Sequence, residues 1–143
     1  MSGTSRDSIE LVIPSDPGRI SEADDFLETA LRSRGVPDAI VSDMAIAATE
    51  LVNNAIVHGN KRDATKTVIL SLQITDSEVV IRVVDQGEGF DPGQVPDPLA
   101  QENLLREVGR GIFIARSLMD DVRYERNPGG GMVVIVRKSL NPA

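Results

Sequence analysis

The 143-residue chain has no cysteine, no tryptophan, one tyrosine, three phenylalanines and a single histidine. Without cysteine there is no disulfide framework, no thiolate metal site and no thiol nucleophile. One histidine excludes a multi-histidine metal centre, and so few aromatic rings leave few platforms on which single-stranded bases stack. Positive charge is also scarce: 15 Lys and Arg stand against 22 Asp and Glu, a net charge of −7. That balance argues against nonspecific nucleic-acid binding, which needs clustered cations over phosphates. The excess acid reads mostly as solvated surface. Met1 to Glu10 is polar and lacks the apolar core of a secretory leader, and no run approaches a membrane span. The expectation is a cytoplasmic protein with no direct nucleic-acid contact and no membrane attachment.

With 41% hydrophobic and 26% charged residues, the chain is long enough for one proper core and reads as one domain. Residues 1–8 read as a disordered lead-in, 9–138 as the domain and 139–143 as a tail. Ile9, Leu11 and Ile13 alternate as a short strand halted by Pro14. Ser15-Asp16-Pro17 starts a helix carrying Ile20, Ala23, Leu27 and Leu31, with Gly35 as its C-cap. A central helix begins near Asp38 and stops at Gly59-Asn60. Thr67 to Ile74 and Glu78 to Asp85 alternate in period two around Thr75-Asp76-Ser77, an antiparallel hairpin. Gln86 to Val108 is the least regular stretch, and long irregular loops in compact domains are often functional. Gly109 to Asp120 forms a third helix, apolar enough to be mostly covered. A closing hairpin turns at Asn127-Pro128-Gly129-Gly130-Gly131. This order predicts an α+β two-layer sandwich: a mixed, mostly antiparallel sheet with three main helices on one face.

Three segments carry candidate chemistry. In the central helix Glu50, Asn54 and His58 recur every four residues and share a stripe among Leu, Val, Ala and Ile. A buried carboxamide needs a partner; a divalent cation on phosphate oxygens satisfies it and leaves Glu50 free as a base. The alternative is a polar stripe that faces water. Asp85-Gln86-Gly87-Glu88-Gly89 ends a strand with an acceptor that can take a hydrogen bond from an exocyclic amine and so select adenine. Taken alone, it reads more simply as a strand-to-loop turn. Gly109-Arg110-Gly111 opens the third helix, where free N–H groups attract anions, or eases a loop into a helix. Arg106 and Arg110 flank it and can meet phosphate, or lie at the surface as most arginines do. His58 alone reads as a helix-end residue, and Asp120-Asp121 as a turn.

Jointly and in this order, Glu50-x-x-x-Asn54, Asp85-x-Gly87-x-Gly89 and Gly109-x-Gly111 resemble the N, G1 and G2 boxes of one ATPase superfamily. Gyrase, heat-shock chaperones, histidine kinases and mismatch-repair ATPases share it. More narrowly, the chain resembles the stand-alone serine kinase anti-sigma factors of bacterial stress and sporulation control. Ile13-Pro14-Ser15, Asn54-Ala55-Ile56-Val57-His58-Gly59 and Gly109-Arg110-Gly111-Ile112-Phe113-Ile114 carry that likeness, which runs from Ile9 to Lys138. The resemblance implies ATP and Mg²⁺ as cofactors, with Asn54 on the metal and Asp85 on the adenine amine. It makes Gly87, Gly89, Gly109 and Gly111 the pocket wall and lid hinge, with Pro96 to Val108 as the lid, and Glu50 the general base for a serine hydroxyl. It further implies a sigma factor and an anti-anti-sigma (STAS-domain) protein as partners, and a homodimer. A departure stands at Gly131-Met132, where many relatives have Gly-Thr and bind adenine through water. Two other readings remain: an ATP-gated module that sequesters a partner without phosphoryl transfer, and a histidine-kinase catalytic domain. No upstream helical hairpin with a phospho-acceptor histidine supports the latter.

Overall fold

The computed structural model describes residues 7–87 and 109–140; Gly89, Arg106 and the expected lid at 96–108 lie outside them. Among the described residues five strands form one sheet in the order β1-β2-β3-β5-β4. They are β1 Asp7–Pro14, β2 Thr67–Ile74, β3 Glu78–Val84, β4 Asp121–Arg126 and β5 Met132–Ser139. All four pairings are antiparallel, where the expectation allowed a mixed sheet. Register follows from alternation: Val68, Leu70, Leu72 and Ile74 of β2 are buried while the residues between them are half-buried. One cross-strand row runs Leu11, Leu70, Val83, Val134, Tyr124. Two boundaries differ from expectation. β1 already includes Asp7 and Ser8, which the reading gave to a lead-in, because both pair with β2. Ser139 and Leu140, read as tail, are tied down: Ser139 ends β5, and the Leu140 N–H donates to the Ser77 carbonyl.

The helices are α1 (Ile20–Ser33), α2 (Asp38–Asn54) and α3 (109–118). Asp16 accepts from the Gly18 N–H at 2.9 Å and Pro17 opens a 3₁₀ turn that leads into α1. Gly35 ends α1 at φ 77°, with its N–H on Arg32 and the Val36 N–H on Leu31. Such a positive φ is reached without strain only by glycine. Ala23, Leu27 and Leu31 of α1 meet Met44, Ala47, Ala48, Leu51 and Val52 of α2 in one core with the inward sheet residues.

α2 continues into a π-helical turn, Ala55–Gly59, closed by the Asn60 N–H on the Ala55 carbonyl at 2.8 Å. Together Asp38–Gly59 is 22 residues and contains an 18-residue window of mean hydropathy 1.3, long and apolar enough to cross a membrane by length and composition. The expectation that no run approaches a span is corrected to that extent. Packing against α1 and the sheet accounts for the apolarity, since 56% of that window is buried within the fold. α3 is covered on one side only, not mostly covered as expected: Gly111, Ala115 and Met119, four apart, are buried, whereas Phe113 is 70% exposed.

Candidate functional site

Asp85 follows directly after β3 and is buried. Its Oδ1 accepts two main-chain N–H bonds, from Gly87 and Met132, each at 3.0 Å. Its Oδ2 carries no hydrogen bond among the described residues. Burial pushes the carboxyl above the ordinary aspartate range, against the pull of those two N–H groups and of the Lys66 ammonium. Three glycines crowd it. A Cβ on Gly59 would stand 2.4 Å from Oδ2, one on Gly131 2.0 Å from the Asp85 carbonyl oxygen, and one on Gly87 1.8 Å from the Gly59 carbonyl oxygen. The end of α2, the end of β3 and the β4–β5 turn therefore meet at distances only glycine permits. Gly131 also holds φ 85°. Met132, the departure from Gly-Thr, takes part through its main chain, and its buried side chain brings no hydroxyl.

Asn54 is 4% exposed, and its Nδ2 has no hydrogen-bond partner among the described residues. A Cβ on Gly111 would stand 2.7 Å from that nitrogen. So the first turn of described α3 packs directly on the Asn54 carboxamide, at a distance only glycine at 111 permits. Unpartnered buried amides are rare, because each forfeits its hydration. The polar stripe is thus not simply facing water. Glu50 and His58, one turn to either side, are half-buried. Gly109 and Arg110 are exposed at the start of described α3, and no atom comes within 4 Å of a Cβ at Gly109. The structure thus assembles Asn54 with Gly111 and Asp85 with Gly87, the two groups linked by the turn from Asn54 to Gly59.

Sequence reasoning missed Asn60, which is 1% exposed. Its Nδ2 donates to Ser15 Oγ at 2.8 Å and to the Thr67 carbonyl at 2.9 Å, and its Oδ1 accepts the Gln86 N–H at 2.8 Å. Ser15 Oγ in turn donates to the Lys66 carbonyl, and Gln86 Oε1 accepts the Thr67 N–H at 2.7 Å. This network ties β1, β2 and the stretch after β3 to the end of α2, and so fixes where Asp85 stands. Tyr124 was missed too. It shares the inward row beside the Asp85 end of the sheet, and burial together with the Asp85 charge pushes its hydroxyl up to about 12. The signal available was Asn60 directly after Gly59, a polar residue at a helix end. Tyr124 gave none, because an aromatic in a strand reads as core.

A two-layer α+β domain with a strand-end aspartate and a helix carboxamide brought to one end of its sheet defines an ATPase-type fold. The model described as "Histidine kinase-like ATPase domain" matches residues 13–138, and the chain belongs to that family. Among curated relatives, a serine-protein kinase RsbW of Staphylococcus epidermidis is 31% identical over 133 residues, 88% of this chain and 84% of that protein. The RsbW of Bacillus subtilis is 27% identical over 141 residues, 94% and 87%. An anti-sigma F factor of Clostridium perfringens is 30% identical over 103 residues, 71% and 74%. A crystal structure of the RsbU and RsbW domains of Rv1364c from Mycobacterium tuberculosis superposes with a TM-score of 0.69 over 96% of this chain at 18% identity. This chain spans 34% of that one, and the likeness concerns the fold.

Proposed function

We propose that the chain is an ATP-dependent serine/threonine protein kinase that acts as an anti-sigma factor, binding a sigma factor and phosphorylating a STAS-domain anti-anti-sigma partner. The relatives named serine-protein kinase and anti-sigma factor support this reading at about 30% identity. One observation carries it: Asn54 Nδ2 is buried without a hydrogen-bond partner among the described residues, four residues after Glu50 on one helix. An NH₂ group without an acceptor fits a phosphate oxygen, and the oxygen of the same amide fits the cation that such phosphates carry. Asn54 Oδ1 would hold Mg²⁺, which supplies charge neutralisation on the triphosphate.

The remaining roles belong to this chain's own groups. Asp85 Oδ2, left open while Oδ1 is held by two N–H groups, accepts from the adenine amine. Gly87 and Gly111 keep Cβ atoms out of the pocket, and His58, Gly89, Arg106, Gly109 and Arg110 complete the nucleotide site. Glu50 takes the proton from the serine hydroxyl as its oxygen bonds to the γ-phosphorus and the bond to the ADP oxygen breaks. Positioning and charge stabilisation do most of the work in phosphoryl transfer.

The test is to incubate the full chain with Mg-ATP and a STAS-domain protein encoded beside it, and to look for phosphoserine by mass spectrometry. Glu50→Gln should keep ATP affinity and lower transfer by roughly 10²–10⁴-fold, the contribution of a general base. Partner binding with no transfer by the native chain refutes the kinase reading and leaves a sequestering module. Transfer unchanged in Glu50→Gln refutes the assigned base.

A further inference from the structure

At the Asp85 end of the sheet the inward layer is closed on one side and partly open on the other. Ile69 faces Val84, which sets Val68 level with Asp85, and Ile13 faces Val68 in turn. Ile13 and Val68 are both 0% exposed, so a ligand has no entry over β2. On the β5 side Met132 stands level with Asp85. The Asp85 N–H donates to the Met132 carbonyl at 3.0 Å, and the Met132 N–H donates to Asp85 Oδ1. Tyr124 of β4 faces Val134, two residues past Met132. Met132 and Tyr124 are therefore diagonal neighbours on the inward face, a spacing that long and aromatic side chains bridge. Exposure returns along this diagonal: Met132 is 6% exposed and Tyr124 is half-buried. Burial and then the Asp85 charge push the Tyr124 hydroxyl up to about 12, so the phenol stays neutral near the carboxylate.

We infer that Tyr124, with Met132 beside it, seats the base of the bound nucleotide and makes the chain select a purine ring over a pyrimidine ring. This rests on the nucleotide site proposed above, because it takes Asp85 Oδ2 as the acceptor of the base amine. That acceptor alone cannot complete the selection. Adenine and cytosine each carry an exocyclic amine next to a ring nitrogen, so both satisfy a carboxylate oxygen, whereas guanine and uracil set a carbonyl at the same edge. What separates the two amine-bearing bases is the reach of the ring. With the β2 side filled, a base held at Oδ2 extends over β5 and β4. A purine carried that way covers Met132 and comes onto the Tyr124 ring, and a pyrimidine stops short of it. Both side chains suit the contact: an aromatic ring stacks on any base face, and a thioether packs against aromatic edges.

The experiment compares Mg-ATP, Mg-CTP, Mg-GTP and Mg-tripolyphosphate on the full chain. Tyr124 is the one tyrosine, so ring-¹³C tyrosine gives an NMR signal from this residue alone. Mg-ATP should shift that signal, and Mg-tripolyphosphate, which has no base, should leave it in place. By calorimetric titration the native chain should prefer ATP to CTP by about tenfold or more. Tyr124→Leu should weaken ATP by about tenfold, leave CTP and tripolyphosphate within about twofold, and so close most of that gap. Tyr124→Phe keeps the ring and should keep the preference. Structural damage, by contrast, weakens all ligands together. Saturable Mg-ATP binding with the Tyr124 signal unmoved overturns the inference, as does Tyr124→Leu with the native ATP-to-CTP ratio. Loss of the preference in Tyr124→Phe overturns it as well, by giving the selection to the hydroxyl. Mg-GTP bound as tightly as Mg-ATP refutes Asp85 as the reader of the amine instead, while the Tyr124→Leu ratio still decides the seat.

Discussion

Two buried asparagines stand six residues apart at the end of one helix, and they behave oppositely. Asn60 has its side-chain nitrogen and oxygen fully bonded, to Ser15, Thr67 and Gln86. Asn54, also buried, leaves its nitrogen without a partner among the described residues, against Gly111. A satisfied buried amide holds the fold together, whereas an unsatisfied one is tolerated only where something else has use for it. That contrast marks Asn60 as framework and Asn54 as the candidate for the site.

The largest expected effect comes from breaking the open member of the pair. Asn54→Ala should lower Mg-ATP affinity by at least about a hundredfold. It should leave stability unchanged or raise it by about 1 kcal/mol, because it removes an unpaired buried polar group. Calorimetric titration and thermal melts check the two halves. Asn60→Ala should do the reverse in kind. It strands Ser15 Oγ, the Thr67 carbonyl and the Gln86 N–H, and should cost about 2–4 kcal/mol. A fall in melting temperature of roughly 5–15 °C is expected, with ATP affinity in the surviving folded protein reduced far less than in Asn54→Ala.

Much of this was legible in the sequence, and the rest was hidden for identifiable reasons. Period-two runs such as Val68 to Ile74 gave the strands, and Gly35 gave the end of α1, because pattern and turn chemistry are local. The four-residue spacing of Glu50 and Asn54 pointed to the candidate site for the same reason. The Asn60 network was invisible because its partners lie 7 to 45 residues away along the chain. Gly59 and Gly131 stood in the motifs, but only the packing shows that both press on Asp85. The mostly covered third helix was misjudged because an apolar composition does not reveal which face meets the core.

Smaller effects sharpen the contrast at the adenine end. Asp85→Asn should keep both N–H bonds through its carbonyl oxygen while setting a donor against the adenine amine. ATP affinity should fall roughly 10–100-fold with no loss of stability at neutral pH, where burial already disfavours the charge. The smallest effect is at Asp24. Its carboxyl is raised to about 6 in the fold from 3.8, so the native state binds more protons than the unfolded chain between these values. Stability from this group is complete below that window and is lost as pH rises through about 6. Asp24→Asn should remove that slope and raise stability above pH 6 by less than about 1 kcal/mol, since solvent screens a half-exposed group. Melting temperatures of the two proteins at pH 5 and pH 7.5 give the comparison.

Whether Asn54 and Asp85 grip opposite ends of one bound Mg-ATP is tested most directly by NMR on the ¹⁵N-labelled full chain. Adding Mg-ATP should shift the Asn54 side-chain amide together with the Gly87 and Met132 main-chain amides, while the Asn60 side-chain amide barely moves and Mg-GTP leaves all of them unchanged. Saturable binding of Mg-ATP that leaves the Asn54 side-chain amide in place would contradict the account.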